Sequence, residues 1–258
     1  MVYSALDLSS KIAVVIGGTS GIGRTLAVGL AQAGADVIAT GRREDMVRSV
    51  TAEIQNMGRR SLAMPADVGN RKSIEALHAA ISSQLGDVDI LINSAGVTKR
   101  RPTLDVTDDE WNSIFETNLT GVLRACQVFG RKMIQRKRGR IINIASVSSG
   151  RGFFEVAAYA ASKAGVVSLT KTLAVEWAKH NVCVNAIAPG VFRTDLNKAL
   201  LDGTPRGDEF IVRTPMRRFG KLDELIGAAI FLSSDAANFV TGHVLAVDGG
   251  FLASGVTQ

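Results

Sequence analysis

The stretch Ile12-Ala13-Val14-Val15-Ile16-Gly17-Gly18-Thr19-Ser20-Gly21-Ile22-Gly23 decides the fold. Five apolar, mostly β-branched residues read as a strand buried on both faces, and a glycine turn then opens a helix running from about Gly23 to Ala33. Gly34 stops that helix, and Val37–Thr40 is the next apolar run. Strand, tight turn, helix and strand in this order begin a parallel sheet, since parallel neighbours need a crossover. Glycines let the backbone approach a pyrophosphate, and a helix start offers N–H groups to its charge. The spacing is G-x-x-x-G-x-G, so a tight turn without a ligand is the plain alternative at this point. Gly18–Thr25 also lies one residue from a Walker A loop, but Arg24 stands where that loop needs its phosphate-reaching lysine.

Outward from this unit the alternation continues. Leu62–Ala66, Asp89–Asn93, Arg140–Ala145, Cys183–Ile187 and His243–Val247 read as further strands. Thr107 and Glu110 form a T-x-x-E capping box for a long helix to about Gln135, and a second long helix covers about Ala157 to Lys179. The expectation is an α/β Rossmann-type, doubly wound, seven-stranded parallel sheet with helices on both faces. No repeat or linker divides residues 1–258, so one domain is expected. Residues 191–219 interrupt the rhythm with weak periodicity and two of the five prolines, and are expected to form a substrate loop or lid.

Composition narrows the function classes. Two cysteines in 258 residues exclude a disulfide scaffold, and three scattered histidines give no metal-ligand spacing, so no metal is expected. The net charge of +6 could suit nucleic acid, but 5% aromatic residues leave few stacking platforms. The densest basic cluster, Arg131 to Arg140, falls where a long helix ends and complements its dipole, so no nucleic-acid partner is expected. Neither an apolar run of ~18 residues nor a secretory leader is legible, which makes a cytoplasmic protein with no membrane partner the expectation.

Cofactor choice is read at the end of the second strand. An acid there would hold the ribose hydroxyls of NAD(H); the sequence has Thr40-Gly41-Arg42-Arg43, with Asp36 at the opposite end. Arg42, helped by Arg24, Thr40 or Arg43, suits a 2′-phosphate, so NADP(H) is favoured over NAD(H). The chemical centre is read in Tyr159-Ala160-Ala161-Ser162-Lys163, where positions i and i+4 share a helix face. Alone this pair is commonplace in helices. Ser146 at the end of one strand, Asn93-Ser94-Ala95-Gly96 at the end of another, and Asn118 on the long helix give it company. No G-x-S-x-G elbow surrounds Ser146, which argues against a hydrolase nucleophile.

Taken together, GGTSGIG (Gly17–Gly23), Asp67-Val68, NSAG (Asn93–Gly96), Asn118, Ser146, YAASK (Tyr159–Lys163), Pro189-Gly190 with Thr194, and Asp248-Gly249-Gly250 resemble the short-chain dehydrogenase/reductase family over essentially the whole chain. Ser94 departs from the usual second Asn, and Ile16 from a frequent Thr. The resemblance implies a nicotinamide cofactor, an Asn118, Ser146, Tyr159 and Lys163 catalytic set, and a homotetramer built on the helices at 112–132 and 157–179. It implies that Gly17, Thr19, Ser20, Gly21, Ile22 and Gly23 cradle the cofactor, with Asp67, Val68, Asn93, Ala95, Gly96, Ile187, Pro189, Gly190 and Thr194 around it. Tyr159 would exchange the proton, its pKa lowered by Lys163 and the positive nicotinamide ring of the oxidised cofactor; Ser146 would hold the carbonyl oxygen; Lys163 would anchor the ribose and Asn118 a relay water. Within the family the loop around Arg100 is similar to that of gluconate 5-dehydrogenases, which implies a small-molecule sugar-acid or polyol substrate whose carboxylate meets Arg100. Arg151 and Arg193 are candidates for the same rim. The competing expectations are a 3-oxoacyl-(acyl-carrier-protein) reductase and a non-catalytic nucleotide-binding protein.

Overall fold

The computed structural model describes residues 3–194 and 197–255. Among them one all-parallel sheet holds β1 (Ile12–Ile16), β2 (Asp36–Thr40), β3 (Ile90–Asn93), β4 (Gly139–Ile144), β5 (Val182–Pro189) and β6 (Val244–Val247), in the order β2-β1-β3-β4-β5-β6. The helices are α1 (Gly21–Gln32), α2 (Glu44–Asn56), α3 (Arg71–Gln84), α4 (Asp108–Phe115), α5 (Gly121–Arg136), α6 (Ala157–Trp177), α7 (Lys198–Leu201), α8 (Pro205–Arg213) and α9 (Ile226–Ser233). Strand periodicity sorts them onto two faces. Ile12, Val14 and Ile16 of β1 pack with Leu77 of α3, Phe129 of α5 and Val166 of α6. Ala13 and Val15 pack with Leu30 of α1, Ile54 of α2 and Leu232 of α9. Burying one such Leu or Ile stabilises by about 1.5–3 kcal/mol, which is why β1, covered on both faces, is apolar at every position.

Two expectations fail for physical reasons. Leu62–Ala66 is not a strand, and the sheet has six strands rather than seven. The segment does run beside β2: the Val37 N–H donates to the Arg60 carbonyl (3.1 Å) and the Ala66 N–H to the Gly41 carbonyl (3.0 Å). Between them the bonds are made by hydroxyls, Ser61 Oγ to the Val37 carbonyl and Thr40 Oγ1 to the Met64 carbonyl, both 2.7 Å. Side chains in place of backbone groups break the ladder, and Pro65 has no N–H to restore it.

The long helix is likewise interrupted. Thr107 Oγ1 caps it by accepting from the Glu110 N–H (3.2 Å), but the Glu110 carboxylate turns to Lys99 and Arg101 instead of closing the box. A π-helical turn over Glu116–Thr120 then separates α4 from α5. Such turns insert one extra residue and re-aim the side chains around it. Asn118 sits inside it.

The sheet reverses its winding at β1, whose neighbours β2 and β3 lead to opposite sides. The crevice beyond the carboxyl ends of β1 and β3 is therefore where this architecture accepts a ligand. No helix among the described residues is long and apolar enough to cross a membrane.

Candidate active site

The crevice begins at the glycine turn. Gly17 has φ +80, and a Cβ there would stand 2.5 Å from the Ala95 nitrogen, so only glycine lets the β1 and β3 exits meet. A Cβ at Gly23 would stand 2.0 Å from the Gly17 carbonyl oxygen, so the start of α1 also needs glycine to fold under the turn. The Gly17 and Gly18 N–H groups both bond the Thr40 carbonyl (2.9 Å). Ser20, at the N-cap of α1, makes no side-chain cap bond, so the first N–H groups of the helix remain for an anion. Thr194 closes over this turn, its methyl 3.7 Å from where a Gly21 Cβ would lie, and is held by Asn197 Oδ1 on its own N–H (2.8 Å). A backbone-lined cradle at a helix start fits a dinucleotide pyrophosphate.

Around the cradle the expected cofactor residues separate into those that face it and those that do not. Arg42 is exposed, and among the described residues nothing pairs with it. Arg43 reaches back to Ser20 Oγ (3.4 Å). Arg24 is committed to Glu53 (2.6 Å), and Thr40 is buried with its hydroxyl on Met64, so neither is a free helper. Asp36 pairs with Arg60 (2.7 Å) at the far end of β2. Asp67 shapes its own turn, accepting from the Gly69 N–H (2.9 Å), while the Val68 carbonyl accepts from Arg124 (3.0 Å). Gly190 follows Pro189 at the end of β5, tied to β6 by its N–H on the Val247 carbonyl (2.9 Å). The Asn93 side chain turns into the core and donates to Asn143 Oδ1 (2.8 Å), and the Asn143 Nδ2 donates in turn to Thr170 Oγ1 (2.9 Å), which leaves the Asn93 backbone to face the crevice.

The four residues of the chemical centre lie together at the carboxyl edge. Lys163, 4% exposed, donates to the Ile144 carbonyl at the end of β4 (2.7 Å), which brings the α6 pair to the strand that carries Ser146. Its ammonium is 5.9 Å from the Tyr159 ring centroid. Burial pulls the Lys163 pKa down to about 8. Tyr159 runs against expectation. Burial pushes its pKa above the usual 10, and Ser146, facing the phenol, pulls it down by less.

Asn118 is fully buried and clamped: its Oδ1 accepts from the Val97 N–H (2.8 Å), and its Nδ2 donates to the Val97 carbonyl (2.9 Å) and to Ser162 Oγ (3.0 Å). Ser162 Oγ donates in turn to the Tyr159 carbonyl (2.7 Å), so one chain of bonds fixes the π turn, the loop after β3 and the start of α6. Sequence reading missed Ser148, whose hydroxyl donates to Ser146 Oγ (2.9 Å) and thereby orients it. The Ser-x-Ser pattern at the strand end was the available signal.

At the mouth, Arg100 pairs with Glu155 (2.6 Å), and the Arg101 N–H bonds the Glu155 carbonyl (2.8 Å). Arg151 reaches the Leu252 carbonyl (3.3 Å). Arg193 forms a two-pronged pair with Asp202 at 2.5–2.9 Å. Helices α7 and α8 lie within the expected 191–219 lid, whose residues 195–196 fall outside the described ones. A cavity of about 400 Å³ lies between this segment and the loop after β6, lined by Val191, Phe192, Thr214, Met216 and Asp248.

A family model described as enoyl-(acyl carrier protein) reductase matches residues 17–252, from the glycine turn to the loop after β6. The chain belongs to the short-chain dehydrogenase/reductase family and is an oxidoreductase of that kind. Among its relatives, the 5-keto-D-gluconate 5-reductase of Escherichia coli strain K12 is 39% identical over 246 residues, 95% of this chain and 97% of that protein. A gluconate 5-dehydrogenase from Burkholderia cenocepacia J2315, solved in complex with NADP and tartrate, superposes with a TM-score of 0.94 at 38% identity, covering 98% of this chain and 99% of that one. The 3-oxoacyl-(acyl-carrier-protein) reductase of Salmonella typhimurium strain LT2 is 38% identical over 95% of this chain and 98% of that protein.

Proposed function

We propose that this chain is an NADP(H)-dependent oxidoreductase that interconverts a secondary alcohol and a ketone on a sugar acid. The observation that carries the reading is the Lys163–Ile144 bond, which sets the Tyr159 phenol beside Ser146 at the edge of the glycine-turn crevice. The relatives' gluconate substrates and the exposed guanidinium of Arg100 at the mouth support an anionic polyol. Arg42, exposed and unpaired among the described residues, supports a 2′-phosphate on the cofactor. The bound nicotinamide supplies or accepts the hydride.

The protein's part is the proton and the geometry. A phenol whose pKa is raised by burial is protonated near neutrality, so Tyr159 stands ready to donate to the oxygen of a ketone. In the reverse direction it must lose that proton, and the Lys163 cation one helical turn away favours the phenolate. Ser146, oriented by Ser148, donates to the substrate oxygen as charge develops there. Lys163 anchors the nicotinamide ribose. Asn118 positions Val97 and Tyr159 through its clamp, and would hold a relay water near the lysine as the family resemblance implies.

In this reading residues 1–258 are one domain, the 191–219 segment is the lid, and the protein is a cytoplasmic homotetramer assembled on α5 and α6, where Val175 is 82% exposed. The Salmonella relative supports carrier-protein-linked reduction as the second reading, since it shares the family's chemistry. Oxidation of gluconate with NADP, run beside reduction of a 3-oxoacyl thioester with NADPH, separates the two. Activity on the thioester alone would overturn the sugar-acid reading.

A further inference from the structure

The mouth of the site carries a second arginine that neither motif nor spacing singled out. Arg206, on the first turn of α8, places both terminal nitrogens on the Phe154 carbonyl (3.3 and 3.4 Å). Arg100, from the loop after β3, stands over the ring of the same Phe154, 6.0 Å from its centroid, and pairs with the next residue, Glu155. Two guanidinium groups from separate elements thus converge on one dipeptide that ends four residues before Tyr159. Glu155 is held with φ +61, a left-handed conformation that a non-glycine side chain adopts at a cost. The lid helix is seated by rings: Phe210 of α8 packs against Phe153 (5.4 Å) and Phe251 (6.3 Å). Arg206 itself lies over Phe210 at 5.4 Å, so its guanidinium is stacked and aimed rather than free in solvent. Burial and then Arg100 act to lower the Arg206 pKa, while Glu155 and Glu209 oppose them.

We propose that Arg206 is a substrate-reading residue: with Arg100 it binds the carboxylate of the sugar acid, which takes the place of Glu155 on Arg100. This rests on the sugar-acid reading above. Guanidinium pairs suit a carboxylate because their planar donors match its two oxygens. Because Arg206 rides on the lid helix, substrate charge would also hold the lid down, so an anionic substrate would be selected over its uncharged counterpart.

The test is steady-state oxidation of gluconate with NADP by the wild type, Arg206→Met and Arg206→Lys, with NADPH affinity measured by fluorescence. The expected result is a gluconate KM raised about tenfold or more in Arg206→Met, with kcat within about threefold and NADPH affinity unchanged, as for loss of one charge-assisted contact. Arg206→Lys should recover part of the loss. An unchanged KM, or a fall in kcat and NADPH affinity together, would overturn the inference and leave Arg206 a structural tie for the lid. A wild type inactive on gluconate would instead overturn the sugar-acid reading, and this inference with it.

Discussion

Replacing Lys163 with methionine should make the protein more stable while destroying its activity. The ammonium is 4% exposed, and its pKa is drawn from 10.5 to about 8 by burial alone. Holding a cation under that pressure costs about 3 kcal/mol at neutral pH, at about 1.36 kcal/mol per pKa unit. Methionine removes the cost and forfeits the 2.7 Å bond to the Ile144 carbonyl, worth about 1.5–3 kcal/mol for a charged donor. The difference is a gain of up to about 1.5 kcal/mol, or roughly 2–4 °C in Tm per kcal/mol for a chain of this size. The pH dependence has a definite sign. Below pH 8 the lysine is charged both folded and unfolded, so the full cost is present. Between pH 8 and 10.5 the unfolded chain binds the extra proton, so wild-type stability gains from this group as pH rises. Urea unfolding of both proteins at pH 7 and pH 9.5 reads this directly. The advantage of Lys163→Met should shrink or reverse at the higher pH. A variant less stable than wild type by more than about 1 kcal/mol at pH 7, with the gap unchanged at pH 9.5, would refute the reasoning.

Three other outcomes follow from the same geometry. Gly23→Ala, with its methyl 2.0 Å from the Gly17 carbonyl, should abolish the thermal shift given by NADPH; a wild-type shift would show that the cradle lies elsewhere. Arg42→Ala should weaken NADPH by about tenfold or more and leave NADH nearly unchanged, measured by fluorescence titration; equal loss for both would remove the 2′-phosphate assignment. Asn118→Ala strips three hydrogen bonds at 2.8–3.0 Å from a buried side chain and should cost about 3 kcal/mol as well as turnover; calorimetry finding wild-type stability would deny the clamp.

What could be read from residues alone was whatever is local. The β1–turn–α1 unit, the i and i+4 pair Tyr159 and Lys163, and the Thr107 cap depend on neighbours in the chain, and the structure places each of them as expected. The features that escaped depend on distant partners. The run 62–66 has strand composition, yet hydroxyls of Ser61 and Thr40 take its bonds and Pro65 withholds one. The π turn at Glu116–Thr120 leaves the apolar periodicity of a helix almost intact, so a single long helix was expected there. The pair of Arg193 with Asp202, nine residues on, forms only once the segment between them is folded. Asn93 matches a cofactor-site motif, but its side chain belongs to a core chain through Asn143 to Thr170, residues far apart in sequence. The direction of the Tyr159 pKa follows from burial, invisible in the sequence, which outweighs the hydrogen bond from Ser146.

The central claim is that the Tyr159 oxygen moves the proton of the reaction, and Tyr159→Phe tests it most directly. Single-turnover oxidation of gluconate with NADP should fall by about 100-fold or more, while NADPH binds the variant as it binds the wild type. Turnover at the wild-type rate with NADPH bound normally would contradict the account.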